Sequence, residues 1–228
     1  MDRVVVVTGA NRGIGLGVTQ QLAAQGDTVI LGARDLGAGR AAAENLRGDV
    51  RPRRLDVTDQ ATVDAVADEL RRDLGRLDVL VNNAAIHYDT WQTAARADLT
   101  IVAEAFETNV LGAWRCVEAF LPLLRSSGHG RIVNVSSEAG SLASMGSGTP
   151  AYNTSKVALN GLTKMLASEL RRDRILVNSV CPGWVATDMG GSGGRPVADG
   201  AASVVWAVDV PDDGPTGGFY RDGHPVPF

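Results

Sequence analysis

No apolar run in this chain of 228 residues approaches the roughly 18 residues that a membrane span needs. The N-terminal residues also lack the layout of a signal peptide, so no membrane partner and a cytoplasmic setting are expected. Cysteine is scarce: Cys116 and Cys181 lie far apart, outside any Cys-x-x-Cys pattern, and both read as small buried hydrophobes in a reducing compartment. His87, His129 and His224 are equally dispersed, so no metal-ligand cluster is visible and no metal site is expected. Basic blocks are missing too. With a net charge of −4 and no run of cations long enough to track a phosphate backbone, the chain is not expected to bind nucleic acid. Lysine itself is nearly absent: of 22 basic residues, all but Lys156 and Lys164 are arginine.

What is present alternates from end to end. Short β-branched runs occur at 4–7, 28–31, 79–81, 131–135, 175–180 and, more weakly, 218–220, with a poorer candidate at 51–56. Residues 2–7 as a whole read as the first buried strand. Helical stretches fall near 13–25, 36–47, 59–74, 97–124, 152–172 and 197–208. Near-continuous apolar strands separated by amphipathic helices indicate a parallel sheet covered on both faces. Right-handed crossovers then give an α/β fold, a doubly wound parallel β-sheet of the Rossmann kind in one domain spanning 1–228. The Gly-rich stretch 187–200 is expected to be mobile.

The first strand runs straight into Thr8-Gly9-Ala10-Asn11-Arg12-Gly13-Ile14-Gly15, after which a helix begins. A strand, a tight glycine turn and a helix N-terminus make an anion site, because free amides and the helix dipole face the same point. The spacing is Gly-x-x-x-Gly-x-Gly, unlike the general Gly-x-Gly-x-x-Gly dinucleotide fingerprint, and a plain structural turn is the alternative. Arg34, in Gly32-Ala33-Arg34-Asp35, follows the second strand, where an arginine accommodates the 2′-phosphate of NADP and a carboxylate favours NAD. Arg12 is a second cation for the same phosphate. Asp35 would favour NAD if it turned inward, but its place before a helix suits a cap. NADPH is therefore the expected cofactor, ahead of NAD.

Tyr152 and Lys156 stand four residues apart, on one helix face, one turn above each other. An ammonium there is expected to stabilise the phenolate and lower the tyrosine pKa, which otherwise lies at about 10. Taken alone, the pair is as readily a solvated charge beside a half-buried ring.

These segments together resemble the short-chain dehydrogenase/reductase family, and the resemblance covers the whole chain. TGANRGIG at 8–15 matches the family's TGxxxGxG turn, here Gly9, Asn11, Arg12, Gly13, Ile14 and Gly15. Leu55-Asp56-Val57 is similar to the segment whose aspartate bonds adenine, and Asn82-Asn83-Ala84-Ala85 to the NNAG segment, with alanine at 85 where glycine is usual. Asn109 falls where the family has its active-site asparagine, and Ser137 ends IVNVSS like the family's catalytic serine. Ser136 is the rival, though strand alternation sends neighbours to opposite faces. Tyr152 and Lys156 match YxxxK, and Pro182, Gly183, Val185 and Thr187 resemble the segment that holds the nicotinamide amide. Ser137 precedes Tyr152 by fifteen residues, about two more than the family's commonest spacing, and the Ser/Gly-rich loop 141–149 can absorb the difference. GARD at 32–35 and CPGWVATDM at 181–189 look like carbonyl-reductase-type members.

The resemblance implies an NADPH-dependent oxidoreductase that reduces a ketone or aldehyde to an alcohol, reversibly. Tyr152 is the acid, Ser137 orients the carbonyl, Lys156 also holds the nicotinamide ribose, and Asn109 interrupts its helix to support a proton relay. A non-catalytic NADP-sensing protein and an epimerase or dehydratase that retains its cofactor are the alternatives. His87, Tyr88, Trp91, Ser144, Met145, Trp184 and Met189 sit in loops where open α/β sheets bind ligands and suit a hydrophobic carbonyl substrate. Val102, Phe106, Val110, Ala113, Val117 and Phe120 recur at helical spacing, more than one sheet-facing stripe obviously needs. Val157, Ala158, Leu159, Gly161 and Leu162 add to them. With the family's four-helix contact in view, a homodimer or homotetramer is expected.

Overall fold

The computed structural model describes residues 3–228; Met1 and Asp2, the latter included in the expected first strand, lie outside the described residues. Eight strands form one sheet in the order β3-β2-β1-β4-β5-β6-β7-β8. They are β1 (Val4–Val7), β2 (Thr28–Ala33), β3 (Asp49–Arg54), β4 (Val79–Asn82), β5 (Arg131–Val135), β6 (Leu176–Val180), β7 (Phe219–Arg221) and β8 (His224–Pro225). The first seven pair in parallel, and β8 alone is antiparallel.

Strand alternation divides the core in two. Val4, Val6, Ile30, Leu80, Ile132 and Val177 point to the face covered by α3 (Gln60–Asp73), α5 (Gly112–Ser127) and α6 (Pro150–Glu169). Val5, Val7, Val29, Leu31, Val79, Val81, Val133 and Val180 point to the face covered by α1 (Gly13–Ala24) and α7 (Val197–Val208). Both faces are therefore dry, which is why the strands read as unbroken valine and isoleucine runs. The second face also receives α2 (Leu36–Ala43) through Ala42 and Ala43.

Three expectations change and one holds. The weak candidate at 51–56 is β3, an edge strand that tolerates Pro52 because its free side needs no amide donor. The long helix expected at 97–124 breaks where the resemblance implied, at Asn109: α4 (Leu99–Phe106) and α5 are separated by a π turn at Glu107–Leu111. The stretch 187–200 is tied back rather than free, with Arg195 bonded through its backbone to Trp184 and Ala186 and through its guanidinium to Asp222. Finally, Val110, Ala113, Val117, Phe120, Leu159 and Leu162 are buried within the chain itself. The apolar side chains left exposed on α5, α6 and the π turn are Leu111, Trp114 and Met165.

Candidate functional site

Every parallel strand delivers its carboxyl end to the same edge of the sheet, and the strand order reverses between β1 and β4. A crevice opens at such a reversal. Thr8, just past β1, stitches it: its Oγ1 accepts the amides of Asn83 and Ala84, each at 3.0 Å. Asn83 answers by donating its side-chain amide to the carbonyls of Thr8 (2.9 Å) and Gly9 (3.1 Å). The Asn-Asn-Ala segment thus braces the glycine turn from below.

The glycines are sterically required. Gly9 and Gly13 have φ of 60° and 53°, a region that side-chain-bearing residues avoid. A Cβ on Gly15 would sit 2.5 Å from the Asn83 side chain and 2.6 Å from the Gly9 carbonyl oxygen. Asn11 lies half-buried in the turn, and Ile14 sits in the first turn of α1, whose N-cap, Arg12, supplies no side-chain cap. An uncapped helix start under a glycine turn is a cradle that suits a pyrophosphate, so the residues present fit a dinucleotide. Arg34 is exposed at the end of β2, and Asp35 accepts the amides of Gly37 and Ala38 as the cap of α2. Its carboxylate is committed to that helix. Arg12, the second cation expected there, pairs its guanidinium with Asp188 at 2.9 Å, both side chains exposed. Asp56 accepts the Thr58 amide and hydroxyl, and Val57 is buried beside it.

A cavity of about 480 Å³ adjoins this turn. Ile14, Pro182, Gly183, Val185 and Thr187 line it together with Ser137, Tyr152 and Tyr88. Ser136 also reaches the cavity, but it is buried and its hydroxyl has no partner among the described residues. Ser137 is the half-exposed member of the pair; its Oγ accepts the Ala139 amide, and its hydroxyl is directed at the Tyr152 phenol. Of the loop residues expected at the mouth, Tyr88, Trp184 and Met189 line the cavity. His87 instead pairs with Glu104, Ser144 donates to the Glu138 carbonyl, and Trp91 and Met145 do not line it.

Lys156 is 2% exposed and donates to the Val135 carbonyl at 2.8 Å. Its Nζ lies 5.4 Å from the centre of the Tyr152 ring. Burial lowers the lysine from its ordinary 10.5 to about 8. Burial also holds the Tyr152 phenol well above its ordinary range, aided by Cys181, while a hydrogen bond from Ser137 acts in the lowering direction. The expected lowering of the phenol by the ammonium is therefore absent in the chain alone. Desolvation outweighs attraction because the ammonium is aimed at a carbonyl and a ring face rather than at the phenol oxygen. The site holds a protonated phenol, the form that can give up a proton.

Asn109 is 1% exposed; its oxygen accepts the Ile86 amide, and its nitrogen donates to the Ile86 carbonyl and to Ser155 Oγ. It thereby ties the π turn to α6 one residue before Lys156. Two site residues were missed in the sequence. Cys181 is a cavity-wall thiol whose sulfur accepts the amides of Glu138 and Gly183, each at 3.3 Å. Its position directly before Pro182-Gly183 was the available signal. Asp89 is buried against the start of α6, and no local pattern marks it. Among the described residues, no group of three or more His, Cys, Asp or Glu is placed to hold a metal.

Residues 3–196 match the family model described as short chain dehydrogenase. The chain belongs to that family. Carbonyl reductase 3 of Mus musculus, named for NADPH, is 35% identical over 275 aligned positions, covering 97% of this chain and 96% of the relative. Since this chain has 228 residues, the mouse protein carries segments that it lacks. Among solved structures, the NADPH-bound carbonyl reductase from chicken fatty liver superimposes with a TM-score of 0.87 at 29% identity, over 100% of this chain and 99% of that one. The carbonyl reductase Sniffer of D. melanogaster gives 0.89 at 28%, covering 100% of both. This short-chain dehydrogenase is carbonyl-reductase-like in sequence and in fold.

The buried lysine sets a measurable pH dependence. Between pH 8 and 10.5 the folded chain has lost the Lys156 proton that the unfolded chain still holds, so stability conferred on the wild type rises with pH across that window. Lys156→Met removes the titration. Relative to wild type, the variant should lose up to about 3 kcal/mol of stability as pH rises from 8 to 10.5. Urea unfolding at both ends of the window measures it, and a constant difference would contradict the assignment.

Proposed function

We propose that this chain is an NADPH-dependent reductase of ketones and aldehydes, reversible toward alcohol oxidation. The observation that carries the reading is that Ser137 and Tyr152 line one cavity together with Ile14 of the glycine turn. The nicotinamide, when bound, supplies the hydride. The glycine turn at Gly9, Asn11, Gly13, Ile14 and Gly15 would hold the pyrophosphate, and Asn83 and Ala84 support it. Asp56 and Val57 would face the adenine, and Pro182, Gly183, Val185 and Thr187 the nicotinamide side. Arg34 would take the 2′-phosphate, since Asp35 is committed to its cap; Arg12 can join it once released from Asp188.

The chain's own residues then divide the proton work. Tyr152, kept protonated by burial, donates to the carbonyl oxygen as general acid. Ser137 donates its hydroxyl proton to the same oxygen and orients it. Lys156, cationic below about 8, would hold the ribose hydroxyls and draw the phenol pKa down as charge develops. The relay that reprotonates Tyr152 runs through Lys156 past the π turn fixed by Asn109. A cytoplasmic setting belongs to the same proposal, supported by two free, buried cysteines. So does a homodimer or homotetramer using the exposed Leu111, Trp114 and Met165.

A panel of ketones, aldehydes and quinones followed at the NADPH absorbance tests the activity directly; no turnover across the panel would sink it. Tyr152→Phe should lower kcat at least ~100-fold with NADPH binding nearly intact, and wild-type turnover in that variant would remove Tyr152 from the chemistry. Arg34→Ala should raise KM for NADPH and spare NADH, cutting the preference roughly ten- to hundredfold, about one charge-assisted contact. An unchanged ratio would move the role elsewhere. Light scattering at micromolar concentration should give a multiple of 23.9 kDa; the single-chain mass would refute assembly.

A further inference from the structure

α6 begins under unusual terms. Thr149 precedes it in a left-handed conformation, with φ of 49° and ψ of 50°, and gives no side-chain cap. Its hydroxyl donates instead to Asn153 Oδ1 at 2.7 Å. Pro150 opens the helix without an amide hydrogen, and the Asn153 amide is satisfied by the Thr149 carbonyl at 2.8 Å. Two first-turn amides remain, those of Ala151 and Tyr152. Left bare in this buried place, each would cost on the order of 1–3 kcal/mol.

Both are satisfied by one distant carboxylate. Asp89, 0% exposed, accepts the Ala151 amide on Oδ2 at 3.0 Å and the Tyr152 amide on Oδ1 at 3.1 Å. Gln92 donates its side-chain amide to the same Oδ2 at 3.2 Å, and Gln92 Oε1 accepts the amide of Asp98. Asp98 in turn caps α4 through the Thr100 amide. A single run of side chains therefore joins the start of α4 to the start of α6. A carboxylate at a helix N-terminus is favoured by the helix dipole and by charge-assisted bonds, which compensates its removal from water. One residue earlier, Tyr88 meets the Tyr152 ring edge-on, with centroids 5.2 Å apart and planes at 89°.

We propose that Asp89 is a positioning residue for the reaction. Its carboxylate grips the main chain of Tyr152 itself, sets where the phenol stands relative to Ser137, and keeps the Tyr88 loop registered on α6. The proposal rests on the reductase reading for its kinetic consequence but not for its structural one. Displacements of about 1 Å in a reacting group cost on the order of 100-fold in rate, so the loss of this grip should appear in kcat. Asp89→Ala should lower kcat about 10- to 100-fold. Asp89→Asn keeps one acceptor oxygen and turns an amide donor toward the other helix amide, so it should fall between that variant and wild type. In both, KM for NADPH should change much less than kcat, because the glycine turn lies on other elements and Lys156 stands a full helical turn beyond the amides that Asp89 holds.

Hydrogen exchange supplies a readout that needs no substrate. The Ala151 and Tyr152 amides should exchange at least ~10-fold faster in Asp89→Asn, and in Asp89→Ala where it folds, while the amides of β1 and β4 keep wild-type rates. Unchanged exchange at Ala151 and Tyr152, or kcat within twofold of wild type in both variants, would overturn the proposal. So would a fall in kcat matched by an equal loss of NADPH affinity and faster exchange throughout the sheet, since that is general loosening. If the wild type turns over no carbonyl with NADPH, the reductase reading fails, and the exchange rates alone still decide whether Asp89 holds α6.

Discussion

The hydroxyl of Thr8 closes the one gap that a doubly wound sheet must leave open. Where β1 and β4 part company in the order of connections, helices leave on opposite faces, and the strand ends would splay. Thr8 Oγ1 receives the amides of Asn83 and Ala84 from the neighbouring strand, while Asn83 returns its side chain to the Thr8 and Gly9 carbonyls. Four polar contacts thus fix the glycine turn to β4 without filling the crevice above it. The close approach is visible in Gly15, whose absent Cβ would collide with Asn83. Both the anion cradle and the wall of the cavity are built out from this junction.

On the other side of the cavity the constraint is polar burial. The face that α6 turns inward carries Ser155, Lys156, Asn160 and Thr163, all buried. Such a face is tolerated because most of its groups find partners. Asn82 donates to Asn134, Asn134 to Thr163, and Thr163 shares a hydrogen bond with Ser179, a chain that crosses β4, β5, α6 and β6. Asn160 donates to the Gly140 carbonyl, and Gly140 has no room for a Cβ, which would lie 2.6 Å from that of Lys156. An apolar helix could slide along this sheet at little cost; the hydrogen-bonded one has a single height. That fixes Lys156 at the end of β5, where its ammonium meets the Val135 carbonyl.

Local chemistry explains what was legible in the sequence. β1, the glycine turn, the cap at Asp35, and Tyr152 one helical turn from Lys156 are all specified by residues close to one another, so pattern alone locates them. The π turn around Asn109 was legible only through family resemblance, since poor helix formers such as Thr108, Asn109 and Gly112 weaken a helix without marking where its ladder breaks. Asp89 was invisible because the helix amides it holds lie 62 and 63 residues away. The pairing of Arg12 was hidden for a related reason: Asp188, 176 residues distant, arrives beside it only in the folded chain. The phenol was misjudged because helical spacing shows proximity but not the desolvation that dominates once both groups are buried.

The pairing of Arg12 with Asp188 bears on how a dinucleotide would enter. The two side chains are exposed, so their attraction is worth little, about 1 kcal/mol or less. Next to Asp188, Thr187 already rests against the glycine turn, its methyl 3.3 Å from where a Gly13 Cβ would be. The loop that bears them is anchored at its far end by Arg195 and Asp222. A phosphate dianion offers Arg12 a stronger partner than a solvated carboxylate does, so exchange of one for the other costs little. Asp188 would then turn to solvent, with Thr187 left beside the turn. The mouth that results is flanked by Trp184 and Met189, 63% and 41% exposed. These are broad apolar surfaces, and an apolar ligand laid against them would relieve the cost of keeping them wet.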